Sequence, residues 1–202
     1  MKSIGVIGGG AWGTALAQVQ ASNGRETLLW AREAEVVDSI NARHVNEMFL
    51  PDVQLDERLK ATNDLAQMAQ MDILLTVTPA QFMRVGLEAL KQHLGDKRPP
   101  IVICSKGIEI ETGDLLIPAA QAVMGEDYPL AMLTGPTFAS EIARGLPAAI
   151  TIAAQDGALL EGLKQNIGAK TLRPYITNDL VSAQLGGAVK NVIAIATGVA
   201  TG

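Results

Sequence analysis

Apolar residues in this chain come in short runs. Ile4-Gly5-Val6-Ile7, Leu28-Leu29-Trp30, Ile73-Leu74-Leu75, Ile101-Val102-Ile103-Cys104 and Leu130-Ala131-Met132-Leu133 are each bounded by polar or turn residues. Continuous apolar character suits strands of a parallel sheet covered on both faces, whereas a half-exposed strand alternates. Between these runs the apolar positions recur at helical spacing. A helix follows Ile7, a second runs from Glu33 to about His44, and a third from Gln81 to His93. A short strand near Leu59-Lys60-Ala61 leads into a helix through Met68 that Thr62 or Asn63 can cap. The strand Met71–Thr78 is stopped by Pro79. Ala148–Ala153 and Thr171–Ile176 read as further strands, with a helix from Asp156 to Asn166 between them. Strands alternating with helices in this way predict βαβ units and an α/β, doubly wound, mostly parallel sheet.

The junction between the first strand and the first helix reads Gly8-Gly9-Gly10-Ala11-Trp12-Gly13, with Gly8, Gly10 and Gly13 spaced as G-x-G-x-x-G. With a strand before it and a helix after it, that spacing points to a dinucleotide site. Gly8 permits the sharp turn, Gly10 lets a pyrophosphate approach the backbone, and Gly13 lets the helix sit close on the strand. The N–H groups of the first helical turn then face the phosphates. In such a fold the end of the second strand meets the adenosine ribose, where an acid favours a free 2′-hydroxyl and an Arg a 2′-phosphate. Arg32 and Glu33 stand there together, so NADPH and NADH both remain open.

Open parallel sheets bind ligands in the loops after their strands. Two of these loops are rich in polar chemistry: Ser105-Lys106-Gly107-Ile108-Glu109 and Thr134-Gly135-Pro136-Thr137-Phe138-Ala139-Ser140-Glu141. Residues 41–51 leave the second helix for a loop closed by Pro51.

The last stretch is unlike the rest. Asn178-Asp179 can cap a helix, and from Leu180 to Gly202 the only charged residue is Lys190. Ala183, Gly186, Gly187, Ala194 and Thr197 lie at helical offsets around it and leave a small or polar face, while Leu185, Val189, Val192, Ile193, Ala196 and Val199 cover the remainder. Burial disfavours a lysine's charged form, which makes an ammonium in such a place a proton shuttle. Gln184, Lys190, Asn191 and the glycines argue against a membrane span. A helix this apolar is expected to be covered by further protein. The chain therefore divides into residues 1–178, a nucleotide-binding domain, and residues 179–202, the start of another.

Composition narrows the partners. Hydrophobic residues make up 48% and charged residues 18%, which is globular, and a net charge of −5 without a Lys/Arg run gives no footprint for nucleic acid. One cysteine, Cys104, cannot form an internal disulfide and reads as a small buried hydrophobe. His44 and His93 have no partners at metal-ligand spacing, so no metal site is expected. The N-terminus enters the first strand directly, which leaves no room for a signal peptide and points to the cytoplasm.

Several spaced segments carry a resemblance. Gly8-Gly9-Gly10-Ala11-Trp12-Gly13-Thr14-Ala15-Leu16-Ala17, Asn46-Glu47-Met48-Phe49-Leu50-Pro51, Ser105-Lys106-Gly107-Ile108-Glu109, Gly135-Pro136-Thr137-Phe138-Ala139, Gly145-Leu146-Pro147 and Gly187-Ala188-Val189-Lys190-Asn191-Val192-Ile193-Ala194 resemble, in order, the bacterial NAD(P)-dependent glycerol-3-phosphate dehydrogenases over essentially all 202 residues. The resemblance implies a Rossmann-like sheet followed by the first helix of an all-helical substrate domain. It implies reversible reduction of dihydroxyacetone phosphate to sn-glycerol 3-phosphate with NADP or NAD, feeding glycerophospholipid synthesis. It places cofactor contacts at Gly8, Gly10, Ala11, Trp12, Gly13, Arg32, Glu33, Phe49, Lys106 and Ala139. Substrate contacts fall at Lys106, Gly135, Thr137 and Lys190, with Lys190 as the catalytic acid/base. Position 11 is often Ser in the family and position 49 often Tyr, so Ala11 brings only a backbone contact and Phe49 no hydroxyl. The family's helical domain also supplies an Asp and an Arg-Asn pair that have no counterpart in these residues. The implied partner is a small phosphorylated substrate, with no nucleic acid and no membrane insertion, and a homodimer is compatible with it. Two other readings share the glycine motif: a related two-domain dehydrogenase of another hydroxy acid or sugar acid, and a non-catalytic module that binds a nicotinamide nucleotide.

Overall fold

The computed structural model describes residues 2–201, and the side chains of all of these except 190–194 and 201. The apolar runs become strands: β1 (Ile4–Ile7), β2 (Thr27–Trp30), β3 (Lys60–Thr62), β4 (Ile73–Thr76), β5 (Ile101–Ile103), β6 (Leu130–Thr134), β7 (Ala148–Ala153) and β8 (Leu172–Thr177). They form one sheet in the order β3-β2-β1-β4-β5-β6-β7-β8. Every pairing is parallel except that of β6 with β7. β1, β4 and β5 are buried along their whole length, which is why their sequences do not alternate. β8 is mixed, and its pattern alternates more.

The helices are α1 (Ala11–Ser22), α2 (Ala34–Arg43), α3 (Ala80–Leu94), α4 (Leu116–Met124), α5 (Ala139–Ala143), α6 (Gly157–Ile167) and α7 (Leu180–Thr201). From β1 the chain steps outward to β2 and β3, then crosses back to place β4 on the other side of β1. That reversal between β1 and β4 opens a crevice beyond the strand ends, and the glycine turn after β1 lies in it.

Several local expectations change. Residues 65–70 form a 3-10 helix, and its cap is Asp64, whose carboxylate accepts from Ala66 N at 3.0 Å, rather than Thr62 or Asn63. α4 occupies a stretch to which the sequence assigns no element, and α5 begins within the polar loop that follows β6. α4 is apolar at nearly every position and is mostly buried, so it carries no amphipathic period to read. Asp156 caps α6 through Ala158 N at 2.8 Å, and Asp179 accepts from Ser182 N at 2.9 Å in the first turn of α7.

A buried polar tie joins distant parts of the fold. The Arg25 guanidinium donates to Gln20 Oε1 at 2.9 Å and to the Gly168 carbonyl at 2.7 Å, and Gln20 Nε2 donates to the Ile167 carbonyl at 2.9 Å. Two carbonyls at the C-terminal end of α6 are thereby satisfied from α1 and the turn before β2. Cys104 is buried, and burial pushes its thiol up, as expected of a small core residue.

Candidate functional site

The turn after β1 is built from glycines for separate reasons. Gly8 has φ +130°, and a Cβ there would lie 3.0 Å from the Val77 carbonyl carbon and oxygen. A Cβ on Gly13 would lie 1.9 Å from the Gly8 carbonyl oxygen, so no other residue lets α1 rest on the turn. Gly10 differs: nothing lies within 4 Å of its Cβ position. It is the N-cap of α1 and offers no side-chain hydrogen bond, so the N–H groups of the first turn, Ala11 and Trp12 included, are left for another acceptor. Gly10 opens onto a cavity of about 580 Å³. An uncapped helix N-terminus beside a cradle that a Cβ would fill fits the pyrophosphate of a dinucleotide.

The cavity walls fit the rest of such a ligand. Trp30, Arg32 and Glu33 at the end of β2 line it, Phe49 stands at its rim, and α3 contributes Phe82, Val85 and Gly86. Phe82 and Val85 are solvent-exposed, on a different face of α3 from the buried Met83, Leu87 and Leu90. Arg32 Nη2 and Glu33 Oε1 pair at 3.0 Å, with the Arg32 side chain 81% exposed. An ion pair that open to water is held weakly and is easily exchanged.

A second group gathers beside the first. Lys106 Nζ stands 6.0 Å from the centroid of the Trp12 ring. Its loop is fastened to α3 by contacts that sequence reading missed. Arg84 Nε and Nη2 donate to Glu109 Oε1 and Oε2 at 2.9 and 2.6 Å, and Thr112 Oγ1 donates to Glu109 Oε2 at 2.7 Å. Gln81 holds both the Ile108 carbonyl and the Ile110 N–H at 2.9 Å. Ser105 Oγ donates to the Thr78 carbonyl. Hydrogen bonds from Arg84 and then Thr112 hold the Glu109 carboxyl below its ordinary range, and the same pairing raises Arg84. Arg84 and Glu109 are 25 residues apart, so no local spacing announces the pair.

α7 is laid against this loop. Gln184 is buried, and its Oε1 accepts from Ile117 N at 2.8 Å, which supplies the cap that α4 lacks. A Cβ on Gly187 would lie 3.4 Å from Thr134 Oγ1 and 3.8 Å from Lys106 Cγ. Position 190 follows Gly187 by three residues in the same helix, but the Lys190 side chain lies outside the described residues. The helix is also less covered than its composition suggests, with Ile195 and Val199 exposed. Thr137 Oγ1 is shielded and has no hydrogen-bond partner among the described residues. A Cβ on Gly135 would lie 2.9 Å from the Ala149 carbonyl oxygen, so this glycine serves the approach of β7 and has only backbone to offer a ligand. Ala139 begins α5 and rests against the core rather than lining the cavity.

Asn46 is a functional-site residue that its sequence context does not mark. It is fully buried; its Nδ2 donates to the Gly9 carbonyl at 2.8 Å and to Thr14 Oγ1 at 2.7 Å, and its Oδ1 accepts from Phe49 N at 3.1 Å.

The chain is similar to known proteins along its whole length. Residues 3–160 match the family described as NAD-dependent glycerol-3-phosphate dehydrogenase N-terminus. Glycerol-3-phosphate dehydrogenase (NAD(P)+) of Parvibaculum lavamentivorans is 50% identical over 201 residues, covering 100% of this chain and 60% of that protein. Its counterpart in Paramagnetospirillum magneticum is 53% identical over 202 residues, covering 100% of this chain and 73% of that protein. The crystal structure of glycerol-3-phosphate dehydrogenase from Coxiella burnetii superposes with a TM-score of 0.90 at 32% identity, over 99% of this chain and 61% of that one. The chain thus spans about 60% of the Parvibaculum relative. With its glycine turn, its crevice and these relatives in agreement, the chain belongs to the NAD-dependent glycerol-3-phosphate dehydrogenase family and matches its N-terminal part.

Proposed function

We propose that this chain is the nucleotide-binding part of an enzyme that interconverts dihydroxyacetone phosphate and sn-glycerol 3-phosphate with NADH or NADPH. The enzyme acts in the cytoplasm and feeds glycerophospholipid synthesis. One observation carries the reading above the rest: in a chain of this family, Gly10 opens an uncapped helix N-terminus onto a cavity of about 580 Å³. Residues 1–178 form the nucleotide-binding domain. Residues 179–202 begin a helical substrate domain, whose remainder covers Ile195 and Val199.

The first-turn N–H groups of α1, those of Ala11 and Trp12 among them, hold the pyrophosphate in the space left by Gly8, Gly10 and Gly13. At the ribose, Arg32 leaves Glu33 to meet a 2′-phosphate, or Glu33 accepts from a 2′-hydroxyl, so either nucleotide is taken. Phe49 closes the rim. When bound, the cofactor supplies hydride exchange with the substrate's carbonyl carbon. Lys190 Nζ gives a proton to the carbonyl oxygen on reduction and takes it back on oxidation. Lys106 sets a second positive charge beside that oxygen or the phosphate, and cations aimed at developing charge lower the barrier. Thr137 Oγ1 and the Gly135 backbone complete the substrate contacts.

A fluorescence titration of the 202-residue chain with NADPH and NADH, repeated on Arg32→Ala, tests the cofactor assignment. Saturable binding is expected, with NADPH affinity falling in the variant and NADH affinity holding. A folded chain that binds neither nucleotide overturns it. In the full-length protein, Lys190→Ala should lower turnover by roughly a hundredfold with little change in cofactor affinity. Near-normal turnover removes Lys190 from the mechanism.

A further inference from the structure

Asn46 lies on the loop after α2, far in sequence from the glycine turn, yet it spends both amide protons on that turn and the start of α1, and its amide oxygen on Phe49. Its amide donates twice and accepts once. The reverse orientation of the amide would set Oδ1 against the Gly9 carbonyl, two acceptors face to face, so the network fixes which way the group points. Thr14 completes it: its Oγ1 accepts from Asn46 and donates to the same Gly9 carbonyl at 3.3 Å.

Both groups on the Gly9 carbonyl are buried, Asn46 and Thr14 each being 0% exposed, so the oxygen is drawn toward the interior. Gly9 C=O and Gly10 N–H belong to one planar trans peptide and point in opposite directions. Drawing the oxygen inward therefore turns the Gly10 N–H outward, to the side on which Gly10 borders the cavity. The same Asn46 side chain holds the main chain at Phe49, which stands at the cavity rim.

We propose that Asn46, seconded by Thr14, is the positioning residue of the pyrophosphate site: it fixes the Gly9–Gly10 peptide and the Phe49 rim as one preformed unit. The inference rests on the cofactor reading given above. Asn46 and Thr14 are positioning rather than catalytic residues, because they act on the ligand only through backbone that they hold. Ligands that carry a pyrophosphate depend on the Gly9–Gly10 peptide that both residues hold, and ligands without one depend on Asn46 only as far as they meet Phe49.

The test uses the full 202-residue chain and two probes: NADH followed by fluorescence, and adenosine, which has no phosphate, followed by ligand-observed NMR. Asn46→Ala should weaken NADH about tenfold, and Thr14→Val, which keeps the shape and leaves Phe49 untouched, about threefold. Thr14→Ser keeps the hydroxyl and should bind NADH as the parent does. Adenosine affinity should stay within about twofold in Thr14→Val and Thr14→Ser, since neither touches Phe49 and no phosphate hydrogen bond is at stake, and should fall less than NADH affinity in Asn46→Ala. Thr14→Val carries the test should Asn46→Ala fail to fold by circular dichroism. Folded variants that bind NADH as the parent does overturn the proposal. So does an equal loss of NADH and adenosine in Thr14→Val, which marks a general loosening of the fold. A parent chain that binds no NADH brings down the cofactor reading itself, a different result from a parent that binds and variants that do not differ from it.

Discussion

Gly10 and Gly13 belong to one motif and answer to different forces. A methyl group on Gly13 would collide with the Gly8 carbonyl oxygen at 1.9 Å, so Gly13→Ala must push α1 off its strand. A methyl group on Gly10 meets no protein atom within 4 Å and projects where the ligand belongs. Gly13→Ala should therefore cost about 3 kcal/mol of stability in urea denaturation, as overpacking does. Gly10→Ala should leave stability within about 1 kcal/mol of the parent, as for a surface change at a cap. Both should abolish NADH binding, and only the denaturation data separate them. This difference was legible in the spacing, because G-x-G-x-x-G assigns each glycine its own task. Asn46 was not legible, because its partners Gly9 and Thr14 are 37 and 32 residues away and a lone Asn in a loop ordinarily reads as turn chemistry.

Among the elements, the strands and their order of appearance could be read directly, since burial on both faces leaves the central ones as short apolar runs bounded by turn residues. α4 could not. Its sequence is apolar nearly throughout, and its first turn contains Pro118, so neither period nor cap marks it. Its cap comes from Gln184, 67 residues from Ile117, and only tertiary structure brings the two together. Glu109 was noticed as a polar loop residue, but its pairing with Arg84 depends on how α3 lies beside the loop. Gln184 shows what such a long-range cap contributes. Gln184→Ala leaves a buried N–H of α4 without its acceptor and should cost about 2 kcal/mol in chemical denaturation. Gln184→Glu, which keeps the acceptor, should recover part of that loss; a Gln184→Ala chain as stable as the parent would deny the cap any weight.

Acid stability belongs to the molecule as a whole. Asp56, Asp72, Glu109 and Asp179 all have carboxyl groups held below their ordinary range, by Arg58, Ser3, Arg84 and Ser182 respectively as the leading partners. Asp56 is held lowest, at about 2. Each binds its proton more readily in the unfolded chain, so each stabilises the fold above the ordinary carboxylate pKa and loses that contribution as pH falls through the lowered one. The melting temperature should be insensitive to these groups above about pH 5 and should fall between about pH 4 and pH 2. Glu109→Gln should lower stability at neutral pH and make the acid-side decline shallower. A decline of unchanged steepness would show that the Arg84 pair plays no part in it.

α7 also sets a scale for the molecule. Among the described residues it is held at Gln184 on α4 and at Gly187 against Thr134 and Lys106, and position 190 comes three residues later along an unbroken helix. Beyond those two fixings the helix works as a gauge. Each residue advances the chain about 1.5 Å and turns it about 100°. The station of position 190 relative to Lys106 is therefore a matter of counting rather than of local side-chain chemistry. Substitutions between 187 and 190 leave that count intact. A single inserted or deleted residue there swings position 190 and everything downstream to another face of the helix without any contact in the nucleotide crevice having changed.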